Sequence, residues 1–377
     1  MRKVGLVTFF HSNYGSILQG YATKTFLQKS GYEPVLIMKD TFGEDEADIE
    51  ANRKKHPEFM EDFQKFMASL SGNNAIVSDA SMAQIDSFVR DELKPTQFSL
   101  AQLRELAEGD GFSAFIAGSD QVWNCTLGML SPLFFLLFAP PKKRIALCPS
   151  FGATNVPAYL RDDLKTVLNE YETLSAREEE GVAIIKDITG RDAARLADPT
   201  LLLTPEEWRK FAGVSDSDDT GYLLLHFLNA PNPVAMKNIR FLADQTGLPV
   251  KCFATRHNEF SDIEGIELVD GGARDYVRTI HNAGLVCTDS FHTTMFSINL
   301  GTDFYSFDRQ YVHGVSQISR ITTVLNRYGL MERLILNEED TLDLEQLRIT
   351  TDCTATKDAE RQAIQSYILN ELKRVTA

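Results

Sequence analysis

His292 is the side chain whose neighbours best suit it to act on an anion. It lies in the run Gly284 to Arg309, GLVCTDSFHTTMFSINLGTDFYSFDR. Leu285, Val286 and Cys287 form a short, partly β-branched apolar run, the pattern of a strand buried on both faces. Thr288, Asp289 and Ser290 end it. Met295, Phe296, Ile298 and Leu300 then recur as in a helix that buries more than one side, and Asp303 to Phe307 reads as the next strand. The unit is βαβ, with His292 where the helix begins. The first turn of a helix carries unpaired N–H groups and the positive end of the macrodipole, which attract an anion such as phosphate. The N–H groups of Phe291 to Thr294 would cradle it, while the hydroxyls of Ser290, Thr293 and Thr294 cap the helix or touch the anion. An imidazole beside bound phosphate holds its proton more tightly and can deliver it near neutral pH. A plainer reading, with Ser290 only a cap and His292 only a surface imidazole, stays open on spacing alone.

Composition narrows the partners. The chain has 377 residues, long for one core, so two domains are expected. Its 38 basic and 53 acidic residues leave a net charge of −15, which argues against nucleic acid or an anionic membrane as main partner. An anionic substrate would need a local positive site. The five cysteines, Cys125, Cys148, Cys252, Cys287 and Cys353, show neither CxxC nor zinc spacing and read as reduced thiols of a cytoplasmic protein; no metal site is expected. MRKVGLVTFF turns polar at His11, too early for a signal peptide, and no apolar run is long enough to span a membrane.

The elements that must position these residues read as two Rossmann-like halves. Lys3 to Phe9 is a strand, His11 to Gly15 a loop, Ile17 to Leu27 a helix stopped by Gly31, and Pro34 to Met38 a second strand. The loop HSNYGS lacks GxGxxG spacing, so no dinucleotide fingerprint is present. Gly15 permits a close backbone approach there, and Asn13 and Tyr14 offer hydrogen bonds. Thr41 to Gly72 reads as a mobile loop leading into a surface helix. Ala114 to Ala117 is a strand whose carboxyl end carries Gly118, Ser119 and Asp120. Ligands of open α/β sheets sit at that edge, so Asp120 and Asn124 are expected to face the cleft. Further strands fall at Arg144 to Cys148, Thr173 to Ala176 and Ala194 to Ala197, the last followed by Asp198-Pro199-Thr200. Thr204 to Gly221, ending in VSDSDDTG, reads as a linker. Strands at Tyr222 to Phe227, Val250 to Phe253 and Ile266 to Val269 open the second half, with Val315 to Tyr328 a later helix and Ala359 to Val375 a terminal one. The expected fold is α/β, two Rossmann-like domains facing each other across a cleft (GT-B-like). The expected division is 1–203, 204–355, and a C-terminal helix at 356–377 that packs back on the first domain.

TDSFHTTMFSINLG resembles the C-terminal signature of the polysaccharide pyruvyl transferase family, whose members usually read SDSFHGT before an apolar helix. HSNYGSILQGYAT, FIAGSDQVWN (Phe115 to Asn124) and SAREEEGVAIIKDITGRDAARLADPTLLL (Ser175 to Leu203) resemble further blocks of that family, in family order and over most of the chain. The resemblance implies a GT-B-like fold with the acceptor on the first domain and the donor on the second. It also implies transfer of the pyruvyl unit of phosphoenolpyruvate onto two hydroxyls of one sugar, in a glycan or lipid-linked precursor, without any other cofactor. That donor carries phosphate and carboxylate, so its site needs cations or N–H donors. Its enol methylene must be protonated, which calls for a general acid. By the same resemblance His292 is the acid and Arg177, from the family's V/A-R-E/D block, grips the donor's anionic groups through its planar fork. A salt bridge to one of Glu178 to Glu180 is the plainer role for Arg177. Arg309 and Arg320 are further cationic candidates, and Asn13, Tyr14, Asp120 and Asn124 are candidates on the acceptor side. Two positions depart from the family: Thr293 stands where glycine is usual, and Ser290 where some relatives carry arginine. A nucleotide-sugar-dependent GT-B glycosyltransferase and a catalytically silent glycan-binding member are the competing readings.

Overall fold

The computed structural model describes residues 1–10, 13–39, 46–70, 77–125, 129–215, 217–255, 260, 263–309, 318–337, 340, 342 and 348–376. His11, the predicted loop at 41–45 and the start of the helix predicted from Val315 lie outside them.

Two parallel sheets organise the chain. The first holds β1 (Arg2–Val7), β2 (Tyr32–Lys39), β3 (Thr96–Phe98), β4 (Ala114–Ala117) and β5 (Arg144–Ala146) in the order β3-β2-β1-β4-β5. After the short pair β6 (Ser175–Ala176) and β7 (Ala194–Arg195), a second sheet runs β10-β9-β8-β11-β12-β13. It is built from β8 (Leu223–His226), β9 (Val250–Phe253), β10 (Glu267–Val269), β11 (Leu285–Thr288), β12 (Phe304–Phe307) and β13 (Leu334–Ile335). That 3-2-1-4-5-6 order is the doubly wound arrangement, with its crevice at the carboxyl ends of the central strands. Register follows the apolar pattern: Leu6 lies opposite Leu36 and Ile116, and Cys287 opposite Leu225 and Tyr305. With water excluded from both faces, the central strands β4, β8, β11 and β12 are buried along their whole length.

Helices α1 (Tyr14–Lys29), α2 (Glu46–Lys55), α3 (Phe59–Leu70), α4 (Asp79–Phe88), α5 (Leu100–Glu108), α6 (Arg161–Asn169), α7 (Glu179–Thr189) and α8 (Pro205–Ala212) belong to the first part of the chain. The second part adds α9 (Pro233–Thr246), α10 (Ala273–Asn282), α11 (Phe291–Leu300), α12 (Ile318–Tyr328) and α13 (Thr354–Thr376). Two sequence expectations need correction here. Thr204 to Gly221 is not a linker throughout, because Thr204 and Glu207 form a reciprocal capping box that starts α8. Trp208 and Phe211 then recur at helical spacing, and Trp208 packs edge-on against Phe296 of α11. The stretch after Thr41 carries two helices, α2 and α3, and Phe59 is fully buried.

One apolar cluster crosses between the sheets. It runs from Val4, Ile17 and Leu18 through Trp208 to Tyr276, Phe291 and Phe296. Helix α13 reaches back to β4, β5 and the turn Pro199–Leu202. Arg361 Nε donates to Leu201 O at 2.8 Å, and Lys357 Nζ to Ile298 O at 3.2 Å. No helix among the described residues is long and apolar enough to cross a membrane.

Candidate active site

Helix α11 begins as its sequence dictates. Ser290 accepts a hydrogen bond from Thr293 N, and Gly301, at φ +78°, closes the other end. All ten residues are buried, so the helix is a core element whose first turn opens towards the first domain.

His292 meets that domain in two places. Gly15, in the first turn of α1, packs directly against His292: a β-carbon at residue 15 would lie 2.0 Å from His292 Cγ. His292 Nε2 stands 3.5 Å from Asp198 Oδ2, an ion-pair distance but long for a hydrogen bond. Asp198 in turn takes Arg177 Nη1 at 3.0 Å and Thr200 N at 2.9 Å. Arg177 also pairs with Glu178 at 2.8 Å and faces Asp120 at 3.8 Å, and Ser16 hydrogen-bonds to Asp120. His292 and Arg177, brought from different domains, therefore share one buried cluster. Phe291 lies beside it, with the Arg177 guanidinium 4.3 Å and that of Arg320 5.8 Å from its ring centre.

The charges are mutually supporting. Burial pushes the Asp198 carboxyl up, but the nearby His292, the charge of the Arg177 guanidinium and the Thr200 N–H more than offset it, so it ionises well below the usual carboxylate range. Asp120 is lowered against burial by His292, Arg177 and Ser16. Burial works against the charge of Arg177, yet Glu178, Asp198 and Asp120 raise its proton affinity overall. Asp120 holds φ +66°, a left-handed conformation at the end of β4 kept by its bonds to Ser16 and Gln121 N.

The candidates chosen from sequence sort into three groups. His292, Arg177, Phe291, Asp120 and Arg320 converge on the crevice between the domains. Arg309 lies beside it, 3.6 Å from the Asp289 carboxylate. The remaining side chains have structural partners. The Tyr14 hydroxyl donates to Gly271 O at 2.7 Å, and its ring stacks on Tyr276 at 4.6 Å; it joins the domains rather than facing a sugar. Asn13 caps α1 through Gly15 N, and Asn124 donates to Gln121 Oε1 at 2.7 Å. Thr293 and Thr294 turn their hydroxyls inward. Thr293 meets His226 Nδ1 at 2.6 Å and Tyr276 at 2.8 Å, and Thr294 meets Ser306 at 2.8 Å. Ser290 is the helix cap. Gly15 approaches closely, but to His292 rather than to a ligand. Arg177 spends Nε and Nη1 on carboxylates; the buried Nη2 has no hydrogen-bond partner among the described residues.

Asp198, Glu178 and His226 are the site residues that sequence reasoning did not single out. Asp-Pro-Thr after the short strand at Ala194 was the available signal for Asp198, since it falls at the carboxyl edge of a predicted strand. A second ionic bridge lies a few residues away. Glu360 of α13 takes Arg327 Nε at 2.8 Å and also pairs with Arg195 of β7. The crevice that these residues line with Arg177, Asp198, Phe291 and Arg320 is partly open and narrow, with about 10 Å³ of free space.

Two Rossmann-like domains with a site between them make this a GT-B-type fold. UDP-GlcNAc 2-epimerase from Methanocaldococcus jannaschii, solved with UDP-GlcNAc and UDP, has 12% identity to this chain and a TM-score of 0.51, covering 98% of this chain and 99% of its own. Another structure of UDP-GlcNAc 2-epimerase from the same organism gives 13% identity and 0.51 over 98% and 99%. At such identity the likeness is one of fold. No curated protein matches the chain. The family model for polysaccharide pyruvyl transferase matches residues 13–311, and the chain belongs to that family.

Proposed function

We propose that this protein transfers the pyruvyl unit of phosphoenolpyruvate onto two hydroxyls of one sugar of a glycan or glycan precursor, forming a cyclic ketal. The observation that carries the reading is the meeting of His292, from the first turn of α11, with Arg177 of the other domain around Asp198. In the first step the imidazolium N–H breaks and its proton goes to the enol methylene. The alkene electron pair becomes the new C–H bond, leaving an oxocarbenium-like carbon that a sugar hydroxyl attacks. Loss of inorganic phosphate from that carbon regenerates an electrophile, which the second hydroxyl captures. The two hydroxyl protons leave to base, so diol and donor become ketal and phosphate. The charges of Arg177 and Arg320 and the positive end of α11 at Phe291 and His292 favour the donor's anionic groups there.

The test is to incubate the protein with phosphoenolpyruvate and isolated glycans, following phosphate release and glycan mass. The expected result is a glycan heavier by pyruvate less one water, with release falling by about 10²-fold or more in His292→Ala. Calorimetry with nucleotide sugars as the alternative donors separates the competing glycosyltransferase. Ketal formation at wild-type rate by His292→Ala would remove the assignment of the acid.

A further inference from the structure

We infer that Thr293 is a positioning residue: its hydroxyl relays a hydrogen bond from Tyr276 to His226 and so fixes the roll of the first turn of α11, from which His292 projects. The inference takes His292 as the acid of the proposed transfer and so rests on that reading.

Three elements of the second domain meet at this hydroxyl. His226 ends β8, Tyr276 stands on α10 and Thr293 on α11. Thr293 Oγ1 lies 2.6 Å from His226 Nδ1 and 2.8 Å from Tyr276 Oη, and all three side chains are buried. Each partner is braced in turn. The Tyr276 ring stacks on Tyr14 at 4.6 Å and meets Phe296 edge-on at 5.6 Å. The His226 ring packs edge-on against Phe253 and Tyr276, and its carbonyl accepts from Thr288 Oγ1 at 2.6 Å. Thr293 is thus held against two fixed points.

The direction of the chain follows from its protons. A phenol buried away from water needs an acceptor, and Thr293 Oγ1 is the one Tyr276 has among the described residues. The threonine proton then goes to His226 Nδ1, which accepts as the bare nitrogen of an imidazole whose proton is on Nε2. The reverse direction strands the phenol proton. Burial, with the Arg309 charge, keeps His226 neutral at pH 7, as this tautomer requires.

Successive side chains of a helix are about 100° apart, so a roll fixed at residue 293 is fixed at residue 292 also. At that roll His292 lies against Gly15 and 3.5 Å from Asp198. Thr294 ties the same turn to β12, on the other side of β11, through Ser306 at 2.8 Å. Glycine at residue 293 would leave the Tyr276 hydroxyl and His226 Nδ1 buried without their shared partner.

The first experiment is ¹⁵N NMR of histidine-labelled, full-length protein at pH 7, with His226 assigned by the loss of its signals in His226→Gln. Wild type and Thr293→Ser should show a bare Nδ1 and a protonated Nε2. Thr293→Val, which lacks the hydroxyl at nearly the same volume, should show a displaced Nδ1 signal. A proton on Nδ1 in wild type overturns the chain. In the second experiment, phosphate release from phosphoenolpyruvate with isolated glycans should fall about ten-fold or more in Thr293→Val and stay within about two-fold of wild type in Thr293→Ser. Tyr276→Phe, which removes the first donor, should slow release in the same way and carries the test if Thr293→Val does not fold. Release by the folded variants at wild-type rate, or equally slow release in Thr293→Ser, overturns the positioning role. Amide exchange at Phe291 to Thr294, about ten-fold faster in Thr293→Val and unchanged in Thr293→Ser, supports the brace even in a protein that makes no ketal, and the transfer reading alone then falls. Exchange unchanged in both variants overturns the brace.

Discussion

Lowering the pH from 6.5 to 4.5 should weaken this protein chiefly through His226. Its imidazole is buried at the end of β8, with Nδ1 against Thr293 Oγ1 and aromatic rings of Tyr14, Phe253 and Tyr276 around it. Burial, helped by the Arg309 charge, lowers its pKa from 6.5 to about 3. Between those two values the unfolded chain binds a proton that the folded chain refuses, so stability rises with pH across the window and is lost as pH falls. The slope for one such group approaches about 1.4 kcal/mol per pH unit, or roughly 2–3 kcal/mol between pH 6.5 and 4.5. Other groups enter with known signs. His281 is lowered by burial and Arg209 and adds to the loss, while burial raises Asp289, which acts in the opposite direction. A comparison with His226→Gln cancels both. Urea unfolding at pH 7.0, 6.5, 5.5 and 4.5, followed by the fluorescence of Trp123 and Trp208, gives the two stability curves. Wild type should lose about 2–3 kcal/mol more than the variant over the lower two pH units. Parallel curves would refute the claim that this imidazole is held neutral by its surroundings.

Two other substitutions probe the interface. Arg177→Met strands Asp120, Glu178 and Asp198 without their shared cation, and should cost about 3–5 kcal/mol in urea unfolding. An unchanged midpoint would mean that the carboxylates find other relief. Tyr14→Phe removes the hydroxyl that reaches Gly271 O and leaves that carbonyl unpaired, for a loss of about 1–2 kcal/mol by the same measurement. No loss at all would show the bond to be replaceable by water.

What could be read beforehand was local. The strand-turn-helix around His292 follows from an apolar run, a serine cap and a terminal glycine, and the structure places α11 within those limits. Strands Ala114–Ala117 and Val250–Phe253 likewise declare themselves by composition. Arg177 was identified from its family block, since nothing in its spacing marks it. Contacts between the halves were not legible. Tyr14 and Gly271 are 257 positions apart, and no periodicity connects them. The role of Tyr14 as a wedge between domains depends on distances that only the fold supplies. Thr293 illustrates the same limit: an extra side chain beside an anion site suggests obstruction, yet here it turns inward to His226 and Tyr276. The missed α8 is different, because Thr204-Pro205-Glu206-Glu207 already carries a helix-start signal.

The 10 Å³ beside Arg177 and Phe291 is about the room of a single water. A molecule larger than that fits beside them only if the residues lining the crevice move. The contacts that resist such a movement are the Tyr14 hydrogen bond to Gly271 and the carboxylate bridge from Glu360 to Arg195 and Arg327.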